Sequence, residues 1–138
     1  MNYLRAICER QSIPAEAGEP IRFTVSTEGV KRDGISLRVE DWSIDNYARN
    51  PVVLWAHDYE GSRLPIGRAT VFFESGAMLA DVTFDTQDEF ARAVEDKYRR
   101  GYLNAVSVGW MDVERDGRTV HDLLDISAVP VPADPQAL

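Results

Sequence analysis

Three side chains of the types that together hydrolyse acyl bonds lie on three separate segments of this chain. His57 follows an apolar segment, Ser107 lies between two valines, and Asp125 interrupts an apolar run. In a nucleophile–base–orienter set, the histidine takes the proton of the serine hydroxyl while the carboxylate orients the imidazole. The residue types satisfy such a set, although their spacing in the sequence alone cannot prove it.

Each of these side chains also has an ordinary structural interpretation. A histidine at a strand end is often satisfied by local hydrogen bonds, and a small residue such as Ser107 can mark a tight contact between a sheet and a helix. Asp125 could lie on the solvated face of an edge strand. A buried carboxylate, however, needs a partner, and imidazole is a suitable one. His121 is the alternative third member, although a histidine on a strand is more often simply solvated.

Alternation along the segment that contains Ser107 separates large side chains from small ones. In a strand, successive side chains point to opposite faces of the sheet. One face carries Val106, Val108 and Trp110, and the other carries Ala105, Ser107 and Gly109. We therefore expect the large face to pack in the core and the small face to leave room for another backbone to approach the hydroxyl.

The same periodicity favours Asp125 over His121 as the residue that orients His57. It places Asp125 on the face opposite its apolar neighbours Leu124 and Ile126, so the carboxylate should point out of the core. A turn is expected to join this strand to the strand of Ser107. His121 would lie two same-face steps nearer that turn, roughly 13 Å from Asp125 at about 3.3 Å per residue.

Short alternating segments bounded by turn residues dominate the chain and predict a β-rich fold. The predicted strands are 21–26, 35–39, 52–56, 66–73, 77–84, 105–113 and 119–128. The turn-like segments 74–76 and 115–118 should close hairpins between their neighbours. The predicted fold class is α+β, mainly β: an antiparallel, barrel-like domain with one or two flanking helices.

One helix is predicted with both of its ends. Thr86 followed by Glu89 is a capping-box pattern, and Gly101 provides a stop. Helical spacing places four apolar residues on roughly one face, and we expect this face to be an exposed apolar stripe. The stripe consists of Phe90, Ala93, Val94 and Tyr98. A shorter helix at 43–49 should end before Pro51, and the Pro-rich segment 129–135 should be extended.

Length and charge exclude several classes of protein. The 138 residues form one predicted domain, 1–138. A net charge of -8, with no basic cluster longer than 97–100, argues against binding to nucleic acid. The apolar runs are far shorter than the roughly 20 residues of a membrane span, and the charged N-terminus differs from a secretory signal. Because Cys8 is the single cysteine, we expect neither an intrachain disulfide nor a cysteine-based metal cluster.

Four motifs follow one another in the second part of the chain. They are 51–58 (PVVLWAHD), 65–68 (PIGR), 101–109 (GYLNAVSVG) and 124–135 (LDISAVPVPADP). Their order resembles the caudovirus prohead serine protease family of tailed phages. That family has a tryptophan–histidine–aspartate region, a serine–hydrophobic–glycine strand and a closing proline–alanine motif. The resemblance covers about 51–137, and four ordered motifs are a much more specific signal than any one of them.

The resemblance implies a role for each candidate residue. His57 would be the general base and Ser107 the nucleophile. The family's third position usually carries glutamate, and Asp125 stands at that position here. The family is similar in fold to the herpesvirus assemblins, whose third residue is a histidine, which keeps His121 as the alternative. Arg68 is a candidate helper near the site, although an arginine on a strand is usually only a solvated charge.

By resemblance, the chain would be a serine endopeptidase of phage head maturation, acting through an acyl-enzyme without a metal or organic cofactor. Its substrates would be scaffold or capsid-precursor extensions and eventually itself. It would act in the host cytoplasm, inside the assembling prohead, as a homodimer or higher oligomer, with no nucleic-acid or membrane partner. Two alternatives remain: a catalytically silent head or scaffold component that keeps the protease fold, and an unrelated small β-barrel binding module.

Overall fold

Ten strands and two helices account for most of the chain in the computed structural model, which describes residues 2–7, 16–27, 29–30 and 36–130. The strands are β1 (Asn2–Ile7), β2 (Ile21–Thr27), β3 (Gly29–Val30), β4 (Ser36–Leu37), β5 (Trp42–Ser43), β6 (Val52–Trp55), β7 (Gly67–Glu74), β8 (Ala77–Phe84), β9 (Ala105–Arg115) and β10 (Arg118–Val129). The helices are α1 (Asp45–Arg49) and α2 (Glu89–Arg100), and a 3-10 turn spans Val39–Asp41.

The main sheet curls into a half-barrel with the strand order β1-β9-β10-β6-β7-β8-β2, and β5 also pairs with β10. This architecture confirms the prediction of an α+β, mainly β, barrel-like domain. Most neighbouring strands are antiparallel, but β5 and β6 both run parallel to β10. Parallel neighbours need a long connection, and here β7, β8, α2 and β9 lie between β6 and β10. The strand that precedes His57 therefore lies beside a strand that is distant in sequence.

Two tight hairpins are formed where the sequence predicts them. Ser75 and Gly76 have φ angles of 50° and 76°, and Asp116 and Gly117 have φ angles of 52° and 77°. Positive φ at both central residues is the signature of a type I′ turn, whose twist matches that of antiparallel strands. These turns join β7 to β8 and β9 to β10. The second hairpin brings the strand of Asp125 beside the strand of Ser107, as predicted.

Helix α2 packs its apolar face into the core of the domain. Tyr98 is fully buried, its ring packs against Phe23 and Phe84 at centroid distances of 5.3 and 5.8 Å, and its hydroxyl donates to Ala105 O at 2.6 Å. Val94 is also buried. The expectation of an exposed apolar stripe on this helix is therefore wrong for Val94 and Tyr98, because both side chains pack in the core.

The ends of the two helices differ in part from the prediction. The N-cap of α2 is Asp88, whose carboxylate accepts from Phe90 N and Ala91 N at 3.3 Å each, so the helix begins two residues later than a Thr86 cap would place it. Gly101 ends the helix with a φ of 89°, as predicted. Helix α1 begins at Asp45, because the preceding Ser43 pairs with β10 as part of β5.

Several strand predictions need correction. The predicted strand at 35–39 is only Ser36–Leu37, paired with Gly29–Val30, and a 3-10 turn follows it. The strands β1, β3 and β5 were not predicted from the sequence. The predicted extended segment at 129–135 lies outside the described residues beyond Pro130. Within the described part of the chain, no helix is both long and apolar enough to cross a bilayer.

Candidate active site

His57 lies just beyond the end of β6, where the backbone turns sharply. Ala56 and His57 have φ angles of 53° and 57°, in the left-handed region that residues with a Cβ rarely adopt. Such a conformation costs on the order of 1–2 kcal/mol per residue. The turn is held by Ala56 N donating to Ala128 O at 2.9 Å and Asp58 N donating to Trp55 O at 3.2 Å. Two consecutive strained residues thus redirect the chain, so that the imidazole points back over β10.

The side chains that meet His57 come from one face of β9 and β10. In the antiparallel register, Ser127 lies opposite Ser107, and Asp125 lies opposite Gly109. The other face carries core residues such as Val108 and Ile126. Because Gly109 has no side chain, the face around Asp125 is not filled from β9. The prediction that the large side chains of β9 pack in the core, on the face opposite Ser107 and Gly109, is confirmed.

A β-bulge determines the face on which Asp125 lies. Leu123 pairs with Trp110 and Asp125 pairs with Gly109, so Leu124 is an extra residue without a partner on β9. Leu123 and Trp110 belong to the core. With strict alternation, Asp125 would follow Leu123 onto that core face. The extra residue shifts the alternation and directs the carboxylate to the opposite face, where the imidazole lies.

The predicted three residues form one continuous chain of hydrogen bonds. His57 Nε2 lies 2.7 Å from Ser107 Oγ, and His57 Nδ1 lies 2.9 Å from Asp125 Oδ2. Since a carboxylate only accepts, Nδ1 donates to Asp125, which leaves Nε2 of a neutral imidazole to accept the Ser107 hydroxyl proton. Ser107 is 0% exposed, and the side chains of His57 and Asp125 are 11% and 1% exposed. The structure therefore brings together His57, Ser107 and Asp125 in a nucleophile–base–orienter geometry.

Two further residues take part that the sequence did not predict. Ser127 Oγ donates to Asp125 Oδ2 at 2.7 Å and accepts from the backbone N–H of His57 at 3.0 Å. The phenol of Tyr59 donates to Asp125 Oδ1. Ser127 could have been found, because alternation after Asp125 puts it on the same face. Tyr59 lies in a loop without periodicity, so no sequence pattern pointed to it.

The loop after His57 is fixed by its own hydrogen bonds. Tyr59 N donates to His57 O at 2.8 Å, and the Asp58 carboxylate accepts from Gly61 N at 3.2 Å and Arg63 N at 2.8 Å. Aspartate commonly organises turns by accepting from backbone N–H groups further along the chain. This arrangement keeps Tyr59 over the His57–Asp125 pair, with the two rings edge to face at a centroid distance of 6.3 Å.

Asp125 also influences a tyrosine on the neighbouring helix. Tyr47 of α1 is 3% exposed, and its hydroxyl donates to Val52 O at 3.0 Å. Burial raises the pKa of Tyr47, and the negative charge of Asp125 raises it further. Helix α1 thus contacts the strand that precedes His57, through the hydrogen bond from Tyr47 to Val52 O.

His121 does not reach the site. Its Nδ1 lies 2.6 Å from Asp112 Oδ1, and its ring packs against Trp42 and Trp110 at centroid distances of 5.4 and 6.1 Å. The expectation that His121 shares a face with Asp125 is wrong, because the bulge between them places the two side chains on opposite faces of β10.

Arg68 likewise has no described contact with the site. It is exposed on β7 and pairs with Val52. Since β10 and β6 separate β7 from β9, Arg68 is three strand spacings from Ser107, roughly 14 Å at about 4.8 Å each. The neighbouring position 67 requires glycine for packing, because a Cβ there would lie 2.5 Å from Thr83 O.

Across the described residues, no three His, Cys, Asp or Glu side chains are grouped as a metal site would require. Neither the family models nor the curated proteins nor the solved structures with which the chain was compared contain a match to it.

Proposed function

We propose that this chain is a serine endopeptidase with Ser107 as nucleophile, His57 as general base and Asp125 as the residue that orients the base. The observation that carries the proposal is the unbroken sequence of contacts from Ser107 Oγ to His57 Nε2 at 2.7 Å and from His57 Nδ1 to Asp125 at 2.9 Å. Hydrogen-bond contacts of this length are what proton transfer between a nucleophile and its base requires.

The proposed reaction proceeds through an acyl-enzyme. Ser107 Oγ attacks the peptide carbonyl carbon while His57 Nε2 takes its proton, and the tetrahedral intermediate collapses as His57 gives that proton to the leaving amine. Water then attacks the ester by the same route, and Ser107 is regenerated. Proton transfer of this kind contributes about 100- to 10,000-fold in rate. Asp125 stabilises the imidazolium that forms in each step.

Burial of the nucleophile places a condition on this reaction. Ser107 is 0% exposed, whereas attack needs the carbonyl carbon within about 3–3.5 Å of the oxygen. Binding of the substrate, or of a small reactive probe, must therefore uncover Ser107. The same burial is the one observation that favours a catalytically silent head or scaffold component as the second candidate. A further alternative is an unrelated binding module. A wide separation of His57 and Ser107 would support it, and their 2.7 Å contact argues against it.

The biological setting is proposed from the order of motifs that resembles the prohead proteases. Scaffold and capsid-precursor extensions within an assembling phage head in the host cytoplasm would be the substrates, followed by the enzyme itself. A homodimer or higher oligomer belongs to the same proposal. The expected apolar stripe on helix α2 does not support the oligomer, because Val94 and Tyr98 are buried in the core.

A serine-directed fluorophosphonate tests the chemistry directly. The wild-type chain should be labelled covalently and should cut its cognate capsid precursor, and Ser107→Ala should do neither while its circular dichroism stays unchanged. Ser62→Ala is the matched control, because Ser62 is exposed in the loop after His57 and should leave both signals intact. A folded wild-type chain that neither reacts with the probe nor cuts the precursor would establish the silent alternative.

A further inference from the structure

We infer that Ser127 is a positioning residue of this site, and that its hydroxyl holds the backbone of His57 and the carboxylate of Asp125 in a fixed relation. The inference rests on the proposed peptidase function. It goes beyond the nucleophile–base–orienter set, because Ser127 touches neither the reacting oxygen nor the imidazole ring in any described contact. Its two described partners are the peptide N–H of His57 and Oδ2 of Asp125.

The location of Ser127 makes it able to connect the three strands of the site. It lies on β10, directly opposite Ser107 on β9 and in register with Leu54 on β6. It is 0% exposed, so no solvent competes for its hydroxyl. A hydroxyl offers one donor and two acceptor sites, and here the proton goes to Asp125 while a lone pair receives the His57 N–H.

The backbone of His57 needs such a restraint. Ala56 and His57 both have left-handed φ angles, and residues in that conformation persist where surrounding contacts determine them. Ala56 N is bonded to Ala128 O at 2.9 Å, and His57 N is bonded to Ser127 Oγ at 3.0 Å. Consecutive residues of β10 therefore hold consecutive residues of the turn. Without the hydroxyl, the His57 N–H loses this partner and the turn can relax.

The same hydroxyl limits the rotation of the Asp125 carboxylate. Oδ2 accepts from His57 Nδ1 at 2.9 Å and from Ser127 Oγ at 2.7 Å, while Oδ1 accepts from Tyr59. Both oxygens are thus held, and the imidazole meets a carboxylate of fixed orientation. Ser127 acts on His57 from two directions, through the backbone and through the carboxylate, whereas the hydroxyl of Tyr59 acts through the carboxylate alone.

These contacts predict an effect on turnover and not on substrate binding. A displacement of the base by about 1 Å can cost on the order of 100-fold in rate. Ser127→Ala should therefore lower kcat by about that factor and leave KM for the capsid precursor nearly unchanged. Tyr59→Phe, which removes one of the contacts to Asp125, should lower kcat less, by roughly tenfold, the usual size of the loss of one hydrogen bond.

The experiment compares Ser127→Ala with Ser127→Thr, Ser127→Cys and Tyr59→Phe in the full chain. Threonine keeps the hydroxyl and should restore much of kcat. Cysteine is close in size but a weak hydrogen-bonding group, so its kcat should lie nearer that of alanine, and it keeps the test valid if the alanine variant does not fold. The rate of labelling by a fluorophosphonate, measured on folded protein, should rank the variants in the same order.

The inference fails if wild type is labelled and cuts the precursor, while folded Ser127→Ala or Ser127→Cys keeps kcat within about twofold. It also fails if the loss appears in KM alone. If folded wild type is neither labelled nor able to cut the precursor, the proposed peptidase function itself is wrong. The double variant of Ser127→Ala with Tyr59→Phe adds a check, since two residues that act through Asp125 should show effects on kcat that do not add independently.

Discussion

At the scale of single residues, the two carboxylate–imidazole pairs of this protein differ in what surrounds them. Asp125 is almost fully buried and accepts from His57, Tyr59 and Ser127. The side chain of Asp112 is 45% exposed and pairs with His121, which packs between two tryptophans. In the first pair the imidazole contacts the Ser107 hydroxyl, and in the second pair the imidazole packs against aromatic rings. Their roles should therefore separate cleanly in variants.

Replacing Asp125 should impair turnover, whereas replacing His121 should impair mainly stability. Asp125→Asn keeps the size of the side chain but cannot stabilise an imidazolium as a carboxylate does, and a comparable change in a catalytic triad costs about 10,000-fold in kcat. His121→Ala opens a gap beside Trp42 and Trp110 and should lower the melting temperature with kcat within a few-fold. Turnover and thermal denaturation of both variants decide the matter. The reverse ranking would assign the orienting role to His121.

The sequence predicted three members of the site at this scale but not the reason that they meet. Residue types and the neighbours of Ser107 indicated His57, Ser107 and Asp125. Simple alternation also gave the correct face for Asp125 relative to Ile126. It gave the wrong face for His121, because an extra residue in a strand leaves no mark on a pattern of large and small side chains.

At the scale of elements, the strained turn after β6 has a testable energetic cost. Glycine adopts the left-handed region freely, whereas alanine there costs on the order of 1–2 kcal/mol. Ala56→Gly should therefore leave the free energy of unfolding unchanged or raise it by up to about 1 kcal/mol, after the extra entropy of the unfolded glycine chain is subtracted. Urea denaturation measures the change.

Ala48→Gly is the matched control for that turn, because Ala48 is exposed within helix α1. Glycine within a helix destabilises by roughly 0.5–1 kcal/mol relative to alanine. The two substitutions, identical in chemistry, should thus move the urea midpoint differently. Equal losses at both positions would contradict a strained conformation at Ala56.

The start of helix α2 offers a second test at this scale. Asp88 caps two backbone N–H groups, and loss of such a cap typically costs about 1 kcal/mol. Asp88→Ala should therefore lower the free energy of unfolding by about that amount. Thr86→Ala should have a smaller effect, since the helix begins beyond it. A larger loss for Thr86→Ala, measured by urea denaturation, would restore the capping box predicted from the sequence.

The elements that the sequence predicted well are those with local causes. The turn residues at 75–76 and 116–117 and the stop at Gly101 depend on backbone preferences of a few residues, and all were predicted. The parallel pairing of β6 with β10 depends on contacts between distant segments. Short strands such as β5 form because they pair with a neighbouring strand, and not because of their own composition. No local pattern distinguishes them from loops.

At the scale of the whole molecule, stability should fall at alkaline pH because of Tyr47. Its pKa is raised in the folded state, first by burial and then by Asp125, so the folded protein holds this proton more tightly than the unfolded chain does. The stabilisation is complete below the ordinary tyrosine pKa of about 10 and is lost as the pH rises above that value. Tyr47→Phe removes this titration and should flatten the decline.

Denaturation by urea at pH 8 and at pH 10.5 or above, roughly on either side of the tyrosine pKa, measures this effect. At pH 8 the phenylalanine variant should be less stable by about 1 kcal/mol, because the hydrogen bond to Val52 O is lost. The difference should shrink or reverse at the higher pH. Tyr102→Phe serves as control, since Tyr102 is 70% exposed and should not alter the slope. An unchanged slope for Tyr47→Phe would contradict the assignment.

The parallel pairing of β6 with β10 also has a consequence for the time at which the site appears during translation. His57 and Asp125 are 68 residues apart in sequence, so at about 5–20 residues per second the imidazole is synthesised roughly 3 to 14 s before its carboxylate. Throughout that interval Ser127 does not exist either, and the left-handed turn has no strand to hold it. A nascent chain therefore has no assembled hydrolytic site near the ribosome, and the proposed protease can become active only after β10 has been released and has docked between its two neighbours.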